Sequence, residues 1–197
     1  MGKYDGLSIG LFGGSFNPAH AGHMHVAKCG LEQLALDRVF WLATPQNPLK
    51  PKQPSYESRV ETVRALGLPP RMEISHIERG FGTQYTIDLI RRAQEAHPKT
   101  RFVFLMGADS FEQLPLWKDW HEITERIPIA VIARGGTGHA PKPSNTTALM
   151  MADYRLPEAQ AAELKNKHAP VWTFLTPPLN NLSSSSIRKA MAKRKTL

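Results

Sequence analysis

Ser8-Ile9-Gly10-Leu11-Phe12-Gly13-Gly14-Ser15-Phe16-Asn17-Pro18-Ala19-His20-Ala21-Gly22-His23 is the stretch on which the fold turns. Ser8–Phe12 is apolar and bounded by glycines, which predicts a strand. Gly13 and Gly14 then remove side chains where the chain leaves the sheet, so backbone N–H groups can approach an anion closely. From Gly22 onward the spacing of Val26, Leu31 and Leu34 predicts a helix reaching Leu36. That helix starts near His20–Gly22 and aims its positive end at the same space. His20 and His23 are three apart and share a face on a first helical turn. Two imidazoles beside exposed amides suit an oxyanion or phosphate that gains charge during a reaction. A glycine pair alone is equally a tight turn. A strand, a glycine pair and two histidines at a helix start, in that order, are more specific. The string lacks the Gly-Lys-Ser/Thr end of a Walker A loop and the third glycine of the dinucleotide fingerprint.

Working outward, short apolar runs alternate with segments of helical period. Strands are predicted at Arg38–Leu42, Met72–Ile77, Arg101–Met106, Ile129–Ala133 and Val171–Leu175. Helices are predicted at Tyr56–Leu66, Thr86–Ala96, Pro157–Asn166 and Ser184–Lys195, with short helical pieces at Ser110–Leu114 and Asp119–Glu125. Pro45–Pro54 reads as a Pro-rich loop, and Gly135–Thr147 as a mobile loop rich in Gly, Pro, Ser and Thr. Strand-helix alternation implies right-handed βαβ units. The fold class is therefore α/β, a mostly parallel sheet with helices on both faces. Residues 1–197 read as a single domain. Ligands of such sheets lie beyond the carboxyl ends of the strands, so the residues just after each strand are the candidates.

Late in the chain, Leu182-Ser183-Ser184-Ser185-Ser186-Ile187-Arg188 opens the last predicted helix. Hydroxyls and free amides at a helix start bind phosphate, and Arg188 adds a permanent charge one turn in from Ser184. A serine run is otherwise a flexible linker. Together with His20-Ala21-Gly22-His23, this segment resembles the two-part signature of the nucleotidylyltransferase superfamily, His-x-Gly-His and Ile-Ser-Ser-Thr-x-Ile-Arg. Leu182 and Ser185 depart from it conservatively. The resemblance implies a Rossmann-like fold and chemistry on a nucleoside triphosphate.

The midsection narrows the resemblance to the nicotinate mononucleotide adenylyltransferases. Gly82-Thr83-Gln84-Tyr85-Thr86, Met106-Gly107-Ala108-Asp109-Ser110 and Leu114-Pro115-Leu116-Trp117 are similar to that family's segments, and Asn47 to Lys50 fits its substrate loop. The family resemblance implies adenylyl transfer from ATP to nicotinate mononucleotide, giving deamido-NAD and pyrophosphate in NAD biosynthesis. It implies catalytic roles for His20, His23 and Arg188, with ATP held by Gly13, Gly14, Ser15, Phe16, His20, His23, Gly107, Asp109, Ser183, Ser184 and Arg188. The mononucleotide would meet Ser15, Phe16, Asn47, Lys50, Tyr85, Thr86, Leu116, Trp117 and Arg134. Tyr85 and Trp117 are also readable as core aromatics, Asp109 as a helix cap and Lys50 as a solvated charge. Thr83–Thr86 opens a helix whose unpaired amides favour a carboxylate, which nicotinate carries and nicotinamide does not. Nicotinamide mononucleotide or phosphopantetheine as acceptor, or a nucleotide-binding regulator without turnover, are the rival readings. Mg2+ is expected to arrive with ATP and keep most of its waters, since no dedicated carboxylate cage is visible.

Composition fits this reading. The chain has 197 residues, 41% hydrophobic and 21% charged, with apolar material for a sizeable core. Cys29 is the one cysteine, so no intrachain disulfide can form, which suits a reducing, cytoplasmic setting. No apolar run approaches the roughly 20 residues of a membrane span, and Asp5 interrupts the place of a signal peptide. The net charge is +8, but Arg188, Lys189, Lys193, Arg194 and Lys195 concentrate much of it in a basic tail. No nucleic-acid recognition motif accompanies it, so neither nucleic acid nor membrane is an expected partner.

Overall fold

The predicted strands lack polar alternation because both faces of the sheet are covered. The computed structural model describes residues 2–46, 49, 51–77, 80, 82–133 and 146–177. Its elements are β1 (Ser8–Gly14), α1 (Ala21–Gln33), β2 (Arg38–Ala43), α2 (Tyr56–Arg64), β3 (Met72–Ser75), α3 (Thr86–Ala96), β4 (Arg101–Gly107) and α4 (Ala108–Gln113). A 3-10 turn (Leu114–Leu116), α5 (Trp120–Arg126), β5 (Ile129–Ile132), α6 (Thr146–Met150), a second 3-10 turn (Ala152–Tyr154), β6 (Arg155–Leu156), a 3-10 helix (Glu158–Asn166) and β7 (Trp172–Leu175) follow. The strands form one sheet in the order β3-β2-β1-β4-β5-β7-β6, and every pairing is parallel. Leu11 lies beside Phe40 of β2 and Phe104 of β4. The fold is α/β and Rossmann-like, as expected.

Alternate residues of each strand feed two separate cores. Ile9, Leu11, Phe102, Phe104, Ile129 and Val131 pack with Ile87, Leu89, Ile90 and Ala93 of α3, with Phe111 of α4 and with Ile123 of α5. Phe12, Val103, Leu105, Ala130 and Ile132 pack on the other face with Val26, Ala27 and Leu31 of α1, with Val60 and Val63 of α2 and with Ala161 and Leu164. α1 sits low on the sheet. A Cβ added to Gly10 or to Gly30 would lie 2.7 Å from Leu105 Cδ1, so a larger residue at either place requires Leu105 to shift.

Several sequence expectations need correction. Thr146 and Thr147, expected in a mobile loop, open α6, and Thr147 is fully buried. Residues 135–145 and the expected helix Ser184–Lys195 lie outside the described residues. β3 stops at Ser75 rather than Ile77. The segment read as a helix at Pro157–Asn166 is a 3-10 helix. At three residues per turn Glu158, Ala161 and Leu164 line up on one side. Ala161 and Leu164 are buried there, and the Glu158 carboxylate accepts from the Thr176 N–H at 2.6 Å and its hydroxyl at 2.7 Å. Among the described residues no helix is long and apolar enough to cross a membrane.

Candidate active site

β1 and β4 are neighbours although two strands separate them in sequence, so the strand order reverses here. The loops after β1, β2, β4, β5 and β7 leave from the same carboxyl edge, where such folds bind nucleotides.

The loop after β1 folds back on itself. Phe16 adopts φ +44, a left-handed conformation costly for an aromatic residue by about 1–3 kcal/mol. Burial offsets this. Its ring is 1% exposed and packs against Phe12, Trp41 and His23 at centroid distances of 5.6, 5.2 and 5.1 Å. Full burial of such a ring contributes roughly 1.5–3 kcal/mol. The turn needs Gly14, because a Cβ there would stand 2.9 Å from Phe16 Cε1.

The two histidines are the cap of α1. His20 is the N-cap, in extended conformation, rather than a member of the first helical turn. Its Nδ1 accepts from the Gly22 N–H at 3.1 Å, and His23 Nδ1 accepts from the His20 N–H at 3.3 Å. This is a capping box built from imidazoles. A backbone N–H can only donate, so both Nδ1 atoms are acceptors, and each neutral ring carries its proton on Nε2. The ring centroids are 4.0 Å apart, and His20 is 5% exposed. No acidic side chain lies in the first turn of α1 itself, so the helix's own sequence leaves its positive end uncompensated there.

A second group of predicted residues gathers at the ends of β4 and α3. Gly107 is buried and is the N-cap of α4, whose first turn holds Asp109. Past the turn at Leu114–Leu116, Trp117 is half-buried and meets Phe104 edge-on at 6.2 Å, while Leu116 is 67% exposed. Lys118 Nζ lies 4.6 Å from the centre of the Tyr85 ring and 3.8 Å from Asp88 Oδ2, which brings the Trp117 segment to the start of α3. Tyr85 is the N-cap of α3, and no side chain caps that helix from the N-cap position. The expectation of unpaired amides holds only in part. The Tyr85 N–H donates to the nearly buried Thr83 hydroxyl at 3.1 Å, and that hydroxyl donates to Asp88 Oδ2 at 3.1 Å.

Asn47, Lys50, Arg134, Ser183, Ser184 and Arg188 lie outside the described residues. Cys29 is buried, and burial, with Glu32 adding to it, pushes its thiol up to about 11, which removes it as a nucleophile at neutral pH. Arg59 was not foreseen. It is 1% exposed on α2, and its guanidinium donates to the carbonyls of Ser15, Pro45 and Pro54. The one available sign was a charged residue on the helical face that Val60 and Val63 bury.

The model of the cytidylyltransferase-like family matches residues 11–190. A Ruegeria pomeroyi protein named probable nicotinate-nucleotide adenylyltransferase is 44% identical over 94% of this chain and 87% of its own length. One of the same name from Methylorubrum extorquens is 44% identical over 92% of this chain and 99% of its own length. The chain belongs to the nicotinate-nucleotide adenylyltransferase family. Solved structures of the Plasmodium falciparum family member, complexed with APC and with NaAD, share the fold. Their TM-scores are 0.67 and 0.69, over 93% of this chain and 83% of theirs, at 16% identity.

Proposed function

We propose that this chain, acting as a single domain, transfers the adenylyl group of ATP to nicotinate mononucleotide. An oxygen of the mononucleotide's 5′-phosphate attacks the α-phosphorus of ATP in line. The bond from that phosphorus to the β-phosphate bridging oxygen breaks, pyrophosphate leaves, and deamido-NAD is the product. No covalent enzyme intermediate forms. The protein's work is positioning and charge stabilisation. The observation that carries this reading is the imidazole pair at the α1 tip, with both Nδ1 atoms turned to the backbone beside the β1–β4 reversal. Both Nε2–H groups then serve as donors to the triphosphate and to the oxygens that gain charge. A fixed donor of this kind contributes on the order of 10²–10³ in rate.

Ser183, Ser184 and Arg188 hold the β- and γ-phosphates in this reading. Chain reach supports it. β7 is parallel to β5 and ends at the same edge, three strand spacings or about 14 Å from β1. The segment from Pro177 to Ser183 spans up to roughly 20 Å when extended. Gly13, Gly14, Ser15 and Phe16 line the path shared by both substrates, and Gly107 and Asp109 face the ATP ribose. Asn47, Lys50 and Arg134 meet the mononucleotide phosphate, while Tyr85, Leu116 and Trp117 flank the pyridine ring. Mg2+, when bound, would be held mainly by the triphosphate's own oxygens and would supply neutralisation of part of their charge. A cytoplasmic setting belongs to the same reading and fits a chain with one cysteine.

Acceptor choice follows from α3. Its start, with Asp88 in the first turn and the Tyr85 N–H already on Thr83, favours a further carboxylate by at most about 2 kcal/mol, roughly 30-fold. The test is pyrophosphate release with ATP and, in turn, nicotinate mononucleotide, nicotinamide mononucleotide and phosphopantetheine. Nicotinate mononucleotide is expected to give the highest kcat/KM of the three, by up to about 30-fold over nicotinamide mononucleotide. Equal values for the two pyridine nucleotides would remove α3 from the specificity argument, and no release with any acceptor would remove the reaction.

A further inference from the structure

Arg59 joins the phosphate loop, which the proposed reaction shares between both substrates, to the loop it assigns to the acceptor. Its Nη1 donates to the Ser15 carbonyl at 2.7 Å, its Nη2 to the Pro45 carbonyl at 2.7 Å and its Nε to the Pro54 carbonyl at 3.1 Å. Ser15 immediately follows β1 in the phosphate loop. Pro45 and Pro54 are the two ends of the loop after β2 that contains Asn47 and Lys50. One buried guanidinium therefore closes the base of the acceptor loop and pins it to the phosphate loop. One turn along α2, Thr62 Oγ1 accepts from the Ala19 N–H at 2.9 Å, directly before His20. α2 thus holds the phosphate loop at both ends.

The chemistry calls for arginine. Pro45, Pro48, Pro51 and Pro54 lack backbone N–H groups, so the loop has few backbone donors, and within it the Gln46 side chain donates to the Pro51 carbonyl and accepts from the Gln53 N–H. A planar fork with fixed donor directions can serve three separate carbonyls, whereas an ammonium on a flexible stem is a single point. Holding the Ser15 carbonyl also aims the next N–H. In a trans peptide the two point in opposite directions, so Arg59 sets the direction of the Phe16 amide.

We propose that Arg59 is a positioning residue that presets the phosphate loop and the acceptor loop relative to each other through the carbonyls of Ser15, Pro45 and Pro54. The kinetic part of this proposal rests on the adenylyl-transfer reading above; the coupling of the loops does not. Arg59→Met keeps most of the apolar stem and removes every donor. Well below its melting temperature, this variant is expected to raise KM for ATP and for nicotinate mononucleotide at least fivefold each. Amide exchange at Phe16, Asn17 and Gln46 should quicken at least tenfold, while that of β1 and β2 stays put. Val63→Ala, a buried change on the same helix, should lower the melting temperature and leave both KM values alone. Both KM values within twofold of wild type, unchanged exchange in the two loops, or an equal KM rise in Val63→Ala would each overturn the proposal. If Arg59→Met does not fold, Arg59→Lys is put through the same measurements with at least threefold effects expected, and smaller ones overturn it. A wild-type protein that releases no pyrophosphate would count against the reaction alone, and loop exchange would then decide the role of Arg59.

Discussion

His20 has two jobs that different substitutions separate. Its Nδ1 caps α1 through the Gly22 N–H, and its Nε2–H is assigned to the triphosphate. His20→Ala removes both. Loss of an N-cap costs about 1 kcal/mol, within a range of roughly 0.5–2 kcal/mol. For a domain of this size that lowers Tm by about 2–4 °C. Loss of one fixed donor to a developing charge costs roughly 2.7–4 kcal/mol in the transition state, or 10²–10³ in kcat. His20→Asn keeps a side-chain oxygen where Nδ1 accepts, and Asn is among the best caps, so Tm should stay within about 1 °C of wild type. It carries no group at the Nε2 position, so kcat should fall as far as in the alanine variant. Thermal melts and pyrophosphate release on the three proteins test this. Asparagine retaining a third or more of wild-type kcat would refute the role of Nε2. An alanine variant that melts with wild type would refute the cap.

Two other perturbations test separate parts. His23→Ala and Arg188→Ala should each lower kcat/KM at least 10-fold, about 1.4 kcal/mol or more, with an unchanged far-ultraviolet spectrum; near-normal turnover in either would refute its role. Glu122 of α5 pairs with Arg91 of α3 and with Arg126, and these hydrogen bonds hold its carboxyl down to about 2. A depressed folded-state value means that the stabilisation is complete above the ordinary value of 4.5 and is lost as pH falls towards 2. Glu122→Gln should therefore lower the urea midpoint at pH 7, and the gap from wild type should shrink steadily below pH 4.5. A gap that is constant down to pH 3 would contradict the pairing.

What could be read from the residues follows the range of the forces involved. α3 runs over the expected Thr86–Ala96 because its buried positions, Ile87, Leu89, Ile90 and Ala93, carry a local period. The strands were legible because continuous apolar runs require cover on both faces. The histidine pair was legible because three residues separate its members. β6 was not, since two residues at a sheet edge leave no pattern. α6 was hidden in a stretch whose Gly, Pro and Ser content reads as loop, and its burial comes from tertiary packing. Arg59 escaped because its three acceptors are carbonyls on separate loop segments, and a backbone oxygen leaves no mark in composition. The Thr83 hydroxyl on the Tyr85 amide escaped for a related reason. Which of two local donors a short side chain serves is decided by the turn it sits in.

The seat of α1 on Leu105 has a reach of its own. Gly30 is near the far end of the rod whose tip carries His23, and it touches no substrate in the proposed reaction. A methyl added there would stand 2.7 Å from Leu105 Cδ1, so either that side chain turns or the rod that carries the imidazoles shifts. An ångström of misplacement at reacting groups costs on the order of a hundredfold in rate. Variation that looks like harmless interior change can thus be read out at the chemistry, and random libraries in this scaffold will find inactive yet well-folded members at positions that no map of the pocket would include.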